Sequence, residues 1–139
     1  MRKRKIPLDK VQGAFNAAIK RRDCRCMIHD DEPCSGSLEC SHFHTVGGSP
    51  ALRFYPPNAY AQCARHQWNH HNRKDSSNAY RQWLDAYHHG DSCYMQGKRK
   101  SYIRYTDSLK AEIIRLCSAD MLDDLKTLIE DELGNDCHA

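Results

Sequence analysis

Three clusters between positions 24 and 71 have the residue types and spacings that chemistry needs. "CRCMIHDDEPC" holds Cys24, Cys26, His29 and Cys34, and "CARH" holds Cys63 and His66 two residues apart. "LECSHFHTVGG", Leu38 to Gly48, adds Cys40, His42 and His44. Closely spaced cysteines and histidines let one turn present two donors to a tetrahedral ion, and a second such turn closes the site. Cys63 and His66 form one pair. Cys26 begins the other, completed by either His29 or Cys34. The "DDEP" between them reads as an exposed loop, which favours Cys34. The ion expected there is a structural Zn²⁺.

The eight cysteines could instead frame an exported disulfide protein. Two features argue against that. "MRKRKIPLDK" has no apolar stretch behind its charges, so it is not a secretory signal. Six of the nine histidines lie between His29 and His71, and disulfides have no use for them. Cys117, on the apolar side of a helical pattern, and Cys40 read as packing residues.

Structural zinc leaves His42, His44, His70 and His71 over. A histidine of near-neutral pKa suits a base that activates water. A divalent cation such as Mg²⁺ or Mn²⁺ suits the charge that builds up on a phosphodiester. His70 and His71 sit one helical turn past His66, so one of them faces back toward the preceding strands. His42 and His44 fall on one strand face with Cys40, because strand side chains alternate. His88 and His89 are expected to decorate a helix C-terminus.

The elements that must position these groups follow from periodicity. From Pro7, Leu8, Val11, Phe15, Ala18 and Ile19 predict a helix ending near Arg22. Residues 38–44 and 52–55 read as two short strands joined by the "TVGGSPA" loop, with Pro56-Pro57 ending the second. "QCARHQWNHHNRK" begins a helix. Tyr80, Trp83, Leu84 and Tyr87 predict another from about Asn78 to His89, stopped by Gly90. The apolar positions from Leu109 to Ile129 predict two more, divided at Ser118-Ala119-Asp120 with Ser118 as the new N-cap.

Charge is unevenly placed. Residues 1–22 carry eight Lys/Arg against one Asp, and residues 106–139 carry three against nine Asp/Glu. The chain thus divides into residues 1–105 and an acidic helical extension, 106–139. A basic front suggests a polyanion partner. DNA phosphates are expected at Lys3, Arg4, Lys20, Arg21, Arg22, Arg53, Arg73, Lys74, Lys98, Arg99, Lys100 and Arg104. Tyr102 and Tyr105, interleaved with the last of these, fit equally as stacking platforms for exposed bases or as core residues of a strand. No apolar run approaches the roughly 18 residues needed to span a bilayer.

The order His42, Asn58, Cys63-x-x-His66, His71 resembles the HNH, or ββα-metal, endonucleases. The wider string "ECSHFHTVGGSPALRFYPPNAYAQC", then "NAYRQWLDAYHHG", is similar to the phage lambda NinG (Rap) recombination-protein family over about residues 14–90. In that family a Gly-His is followed by "P-x-LRF", an asparagine, "QC-x-x-C" and an "N-x-x-x-YR" helix. Here Ser41-His42, Ser49 to Phe54, Asn58, Gln62-Cys63-x-x-His66 and Asn78 to Arg81 take those places. The "CMIHDDEPCSG" lead-in also looks like other small prophage HNH proteins.

The resemblance implies an α+β fold in which a small zinc-stapled ββα core is flanked by N- and C-terminal helices. It implies a DNA endonuclease of branched recombination intermediates (Holliday junctions, D-loops), phage- or prophage-encoded and acting in the host cytoplasm. A homodimer would suit two cuts across a junction. Carried over by position, His42 would be the base and Asn58 the brace of its loop. His71 or His70 would ligate the catalytic ion, and Cys63 and His66 would bind zinc. Three departures stand out. His66 replaces the family's second cysteine, Gln67 stands where a histidine often follows it, and Ser41 stands where a metal ligand often precedes the base. The catalytic ion would then have fewer protein ligands, or would recruit Glu39 or His44. The rival expectation is a non-catalytic, zinc-stabilised nucleic-acid-binding or adaptor protein.

Overall fold

The computed structural model describes residues 5–134, so Lys3 and Arg4 lie outside the described residues. It is an α+β structure, mostly helical, with six helices and one two-stranded antiparallel sheet among the described residues. Helix α1, Leu8–Asp23, follows Pro7, whose extended backbone sets the entry. It buries Val11, Phe15, Ala18 and Ile19, the stripe its spacing predicts. Cys24, left-handed at φ 60°, closes it by returning its N–H to the Lys20 carbonyl at 2.8 Å.

Strand β1 is Leu38–His42 and β2 is Ala59–Cys63. Leu38 lies opposite Cys63, and His42 lies opposite Ala59. The expected second strand at 52–55 is therefore misplaced. Leu52, Phe54 and Tyr55 are buried, but their backbone turns: Leu52 N–H donates to Ser49 and Tyr55 N–H to Leu52. Pro56–Asn58 forms a single 3-10 turn that leads into a strand, where the sequence reading had Pro56-Pro57 ending one. β1 is also shorter than 38–44. Phe43 N–H still reaches the Asn58 carbonyl at 2.9 Å, and beyond it the Asn58 side chain takes over.

The outer edge of β2 is closed by the end of α1 and the chain that follows it. The Asp23 carboxylate accepts the Ala61 N–H at 2.8 Å, and Met27 N–H donates to the Ala61 carbonyl at 2.8 Å. This satisfies backbone groups that an open edge would leave exposed.

Helix α2, Ala64–Asn72, starts directly from β2 with Cys63 as its N-cap. Helix α3 runs Lys74–Tyr87 and α4 runs His89–Lys98. Gly90 does not stop a helix as expected; the break falls at His88, and Gly90 lies inside α4. Helices α5, Asp107–Ser118, and α6, Leu122–Leu133, match the two tail helices. Ser118 is not an N-cap, however. It ends α5, the chain reverses through Asp120 at φ 56°, and Met121 precedes α6.

Of the two acidic helices, α5 packs onto α1 and α6 packs onto α5 and the Pro56–Asn58 turn, and both share the core of α1. Ile113, Leu116, Cys117, Leu125 and Ile129 belong to one buried cluster with Phe15, Ile19, Phe54 and Tyr80. Cys117 is a packing residue there, as expected. Arg21 donates to Asp120 and to the Cys117 carbonyl, and the Tyr55 hydroxyl donates to Glu130 at 2.6 Å. No helix is long and apolar enough to cross a membrane among the described residues.

Phe15 is fully buried and lies against both His42 and Phe54. Phe15→Ala should therefore cost about 3–5 kcal/mol, read as a lower midpoint in urea unfolding at unchanged m-value.

Candidate metal centre

Cys26, Cys34, Cys63 and His66 converge. One ligand atom from each lies within 4.8 Å of every other, and the group could hold a metal ion such as zinc. Cys26 and Cys34 come from the loop between α1 and β1, Cys63 ends β2, and His66 lies in the first turn of α2. The ring of His66 presents the right nitrogen. Its Nε2 donates to the Glu32 carbonyl at 2.7 Å, so Nδ1 carries the lone pair. Nδ1 lies 3.2 Å from Cys26 Sγ and 3.7 Å from Cys34 Sγ.

His29 is not in the group. Its Nε2 donates to the Cys26 carbonyl at 2.9 Å and its exposed ring stacks on His66, 3.9 Å from Cys34 Sγ. Cys34 is the better fourth ligand, as the loop reading favoured. The chain must double back to bring it in. Gly36, at φ +85°, makes the close pass over α2, where a Cβ would meet Ala64 Cβ at 2.7 Å. Ser35 and Ser37 carbonyls then accept the Arg65 and Ala64 N–H groups.

The thiols suit a cation. Burial pushes Cys26 up to about 12, with Cys63 and Cys34 adding to the rise. Burial also raises Cys63, but N–H donors of His66 and Ser35 and the neighbouring thiols outweigh it and leave it lowered. A divalent ion would neutralise charge that such a thiol cluster cannot carry alone. The seven described cysteines are all free thiols, so none is spent in a disulfide.

Asp30 is the functional residue the sequence reading missed. Its carboxylate lies 3.2 Å from His66 Nε2 and is almost fully buried. It also accepts from Glu32 N–H, Asn69 Nδ2 and the Ser76 hydroxyl at 2.8–2.9 Å. A carboxylate behind a ligating histidine fixes tautomer and orientation. Here it ties the metal loop to α2 and α3 as well. The only signal was an acidic "HDDEP" beside the ligands, without a spacing to single out one carboxylate.

The other end of the hairpin gathers the remaining histidines. His42 is buried, and its Nε2 donates to the Arg53 carbonyl at 2.9 Å. Burial holds its pKa below the ordinary value, with the Arg53 and His71 charges acting the same way. Asn58, fully buried, accepts the His44 N–H through Oδ1 and donates to the His44 and Leu52 carbonyls. It thus clamps the start of the loop at His44 and the residue just before His42's carbonyl partner, Arg53. His70 is buried against Phe43 and Tyr80, with its ring 4.9 Å from that of exposed His71. Burial and the His71 charge bring His70 down to about 4, against the raising effect of a hydrogen bond that its ring donates to the His42 backbone carbonyl. Its buried Nδ1 has no partner. Tyr80 donates to the Ser41 carbonyl at 2.7 Å, fixing the residue before His42.

Cys40 sits partly buried against the core. His44 lies past the end of β1, so it does not extend the strand face shared by Cys40 and His42. Glu39 lies on the opposite face and is exposed. Ser41 is buried with an unpartnered hydroxyl. His88 caps α3, and its ring lies tilted against those of Tyr60 and Trp83.

The expected phosphate-binding cations divide in two. Arg21, Arg22, Arg53, Arg73 and Lys98 are engaged internally: Arg22 bonds Asp23 and the Pro56 and Ala59 carbonyls, Arg53 bonds Gln12, Arg73 bonds Glu32 and Asp31, and Lys98 bonds the Leu133 carbonyl. Among the described residues, Lys20, Lys74, Arg99, Lys100 and Arg104 have no carboxylate partner. Tyr102 is 82% exposed, whereas Tyr105 is held by the Pro50 carbonyl and packs on Phe54.

No protein-family model, no curated protein and no solved structure matches this chain.

Purified protein should carry one Zn²⁺ per chain by elemental analysis, and Cys63→Ser should remove it. Asp30→Ala should keep the fold but weaken metal binding about 10–100-fold, read by competition with a chromogenic chelator.

Proposed function

We propose that this chain is a metal-dependent DNA endonuclease of the ββα-metal (HNH) type, with structural zinc at Cys26, Cys34, Cys63 and His66. The observation that carries the reading is the far end of the hairpin. A strand-end histidine is held through one ring nitrogen by a backbone carbonyl, an asparagine clamps the loop that supplies that carbonyl, and a helix histidine with a free buried nitrogen stands behind it.

The chemistry follows from the tautomer. His42 Nε2 carries the proton it gives Arg53, so Nδ1 is the atom with a lone pair for a water proton. Its lowered pKa keeps the ring neutral, as a base must be. His70 or His71 would hold a Mg²⁺ or Mn²⁺ ion, with His44 beside them. When bound, the ion supplies positive charge to the crowded phosphate and to the leaving 3′ oxygen. Asn58 contributes by rigidity, since a loose Arg53 carbonyl would free His42 to rotate.

The preference for branched recombination intermediates rests on the similarity to the NinG family, as do a phage or prophage origin and a place in the bacterial cytoplasm. A homodimer would place two such sites across a junction. A second reading, a non-catalytic zinc-stabilised nucleic-acid-binding or adaptor module, is favoured by Ser41. Its buried side chain gives the position before His42 no ligand to offer.

Zinc-loaded protein should nick supercoiled plasmid and cut a synthetic four-way junction with Mg²⁺ or Mn²⁺, and not with EDTA. His42→Ala should lower the rate about 10²–10⁴-fold while zinc content stays unchanged. Binding without nicking in every metal tested would establish the second reading instead.

A further inference from the structure

Several arginines are held in place by carboxylates. Arg21 meets Asp120, Arg22 meets Asp23, Arg73 meets Asp31 and Glu32, and Arg115 meets Glu112. Arg53 is held differently. Its Nε donates to Gln12 Oε1 at 3.0 Å, and its guanidinium carbon lies 4.9 Å over the Phe54 ring. Phe54 is itself fully buried, edge-on to Phe15 and Tyr105, so that ring is a rigid wall. Among the described residues no carboxylate touches Arg53. An amide and an aromatic face fix the side chain and leave its charge intact.

Gln12, on α1, is also a neighbour of His42. Its Nε2 donates to Asn16 Oδ1 at 2.9 Å and lies 3.5 Å from His42 Nε2. That ring nitrogen already gives its proton to the Arg53 carbonyl at 2.9 Å, so the amide nitrogen finds no acceptor there. Asn16 takes the amide N–H, which turns the amide oxygen to Arg53. Arg53 therefore serves His42 twice. Its main chain orients the ring, and its side chain, held by the intervening amide, brings positive charge beside it. The terminal nitrogens Nη1 and Nη2 have no partner among the described residues, and the side chain is partly exposed. That free edge matches the paired oxygens of a phosphodiester.

We propose that Arg53 grips a backbone phosphate of the DNA strand brought to His42, and that Gln12 is the residue that positions it. Helix α1, outside the hairpin and α2, then supplies part of the nuclease site. The inference rests on the nuclease reading. It gives the neutral amide at position 12 a purpose. A carboxylate there would hold Arg53 as well, but it would cancel the charge that attracts DNA.

Binding without turnover tests the pair. Zinc-loaded protein in the absence of Mg²⁺ and Mn²⁺ is titrated by fluorescence anisotropy with a labelled oligonucleotide duplex across a salt series. Every variant keeps the backbone carbonyl of residue 53, so His42 stays anchored. Arg53→Gln should weaken binding about tenfold and lower the log–log salt slope by about one, with zinc content and circular dichroism unchanged. Gln12→Ala should weaken binding while Arg53 is present and add nothing to Arg53→Gln. Gln12→Glu separates positioning from mere support. It keeps an oxygen for Arg53 Nε, so a purely structural Gln12 would leave binding at the parental level. A positioning Gln12 would instead give the affinity and slope of Arg53→Gln. Parental affinity and slope in Arg53→Gln would overturn the proposal. So would parental binding by Gln12→Glu, or an equal loss from Gln12→Ala with and without Arg53. Loss of inorganic-phosphate binding by Arg53→Gln at unchanged affinity for DNA would overturn it too, since Arg53 would then serve a free anion. The expected losses in a protein that never nicks DNA keep the phosphate grip and sink the nuclease reading alone. Nicking by Arg53→Gln at the parental rate and slope sinks the grip alone.

Discussion

A two-stranded hairpin of five-residue strands does not hold itself together in water. Everything around β1 and β2 answers that constraint. At the Leu38–Cys63 end, three thiols and an imidazole converge, so that a bound ion would clip loop, strand and helix together. At the His42–Ala59 end, one buried asparagine replaces the ladder that the strands no longer supply. Along the length, α1 covers the hairpin, and its C-terminal Arg22-Asp23 closes the outer edge. Two chemically different ends result, about 13 Å apart by strand rise. Helix α2 runs between them, with His66 serving one and His70 the other.

The histidines illustrate how the same side chain takes different work from its surroundings. His66 is oriented by the Glu32 carbonyl and Asp30, so its other nitrogen meets sulfur. His42 is oriented by the Arg53 carbonyl in the same way, and its remaining nitrogen carries the lone pair. His70 has the free nitrogen and is buried, while His71, its neighbour in sequence, is exposed. For His66 and His42 a carbonyl decides the tautomer, and the tautomer decides what the ring can do.

Much of this was legible in the chain. Cys63 and His66, two residues apart, announce a pair of donors, and the "DDEP" loop points to Cys34 as their partner. The stripe Val11, Phe15, Ala18, Ile19 announces α1. What failed was local pattern against tertiary context. "LRFY" has the buried apolar residues of a strand, yet its backbone bonds are spent in turns, and only "AYAQC" finds a partner strand. Lys/Arg clusters read alike in sequence, but Arg22 and Arg73 are consumed by carboxylates and carbonyls, while the isolated Arg81 is not. Asp30 was hidden because a carboxylate's role depends on contacts with residues 36 to 46 positions away.

The packing of α1 against α5 has a consequence for the order of assembly. The ribosome delivers α1 first and residues 107–133 long afterwards, and until then one side of its apolar stripe has no cover. His42 rests on Phe15 of that helix and its oxygen anchor lies in a loop packed beneath the late helices. A nascent chain can collect the ligands of the metal loop early, because they all lie between residues 26 and 66. The surroundings of His42 are completed only when the acidic helices arrive. An unfinished polypeptide therefore holds its cysteines together before it owns a finished histidine pocket.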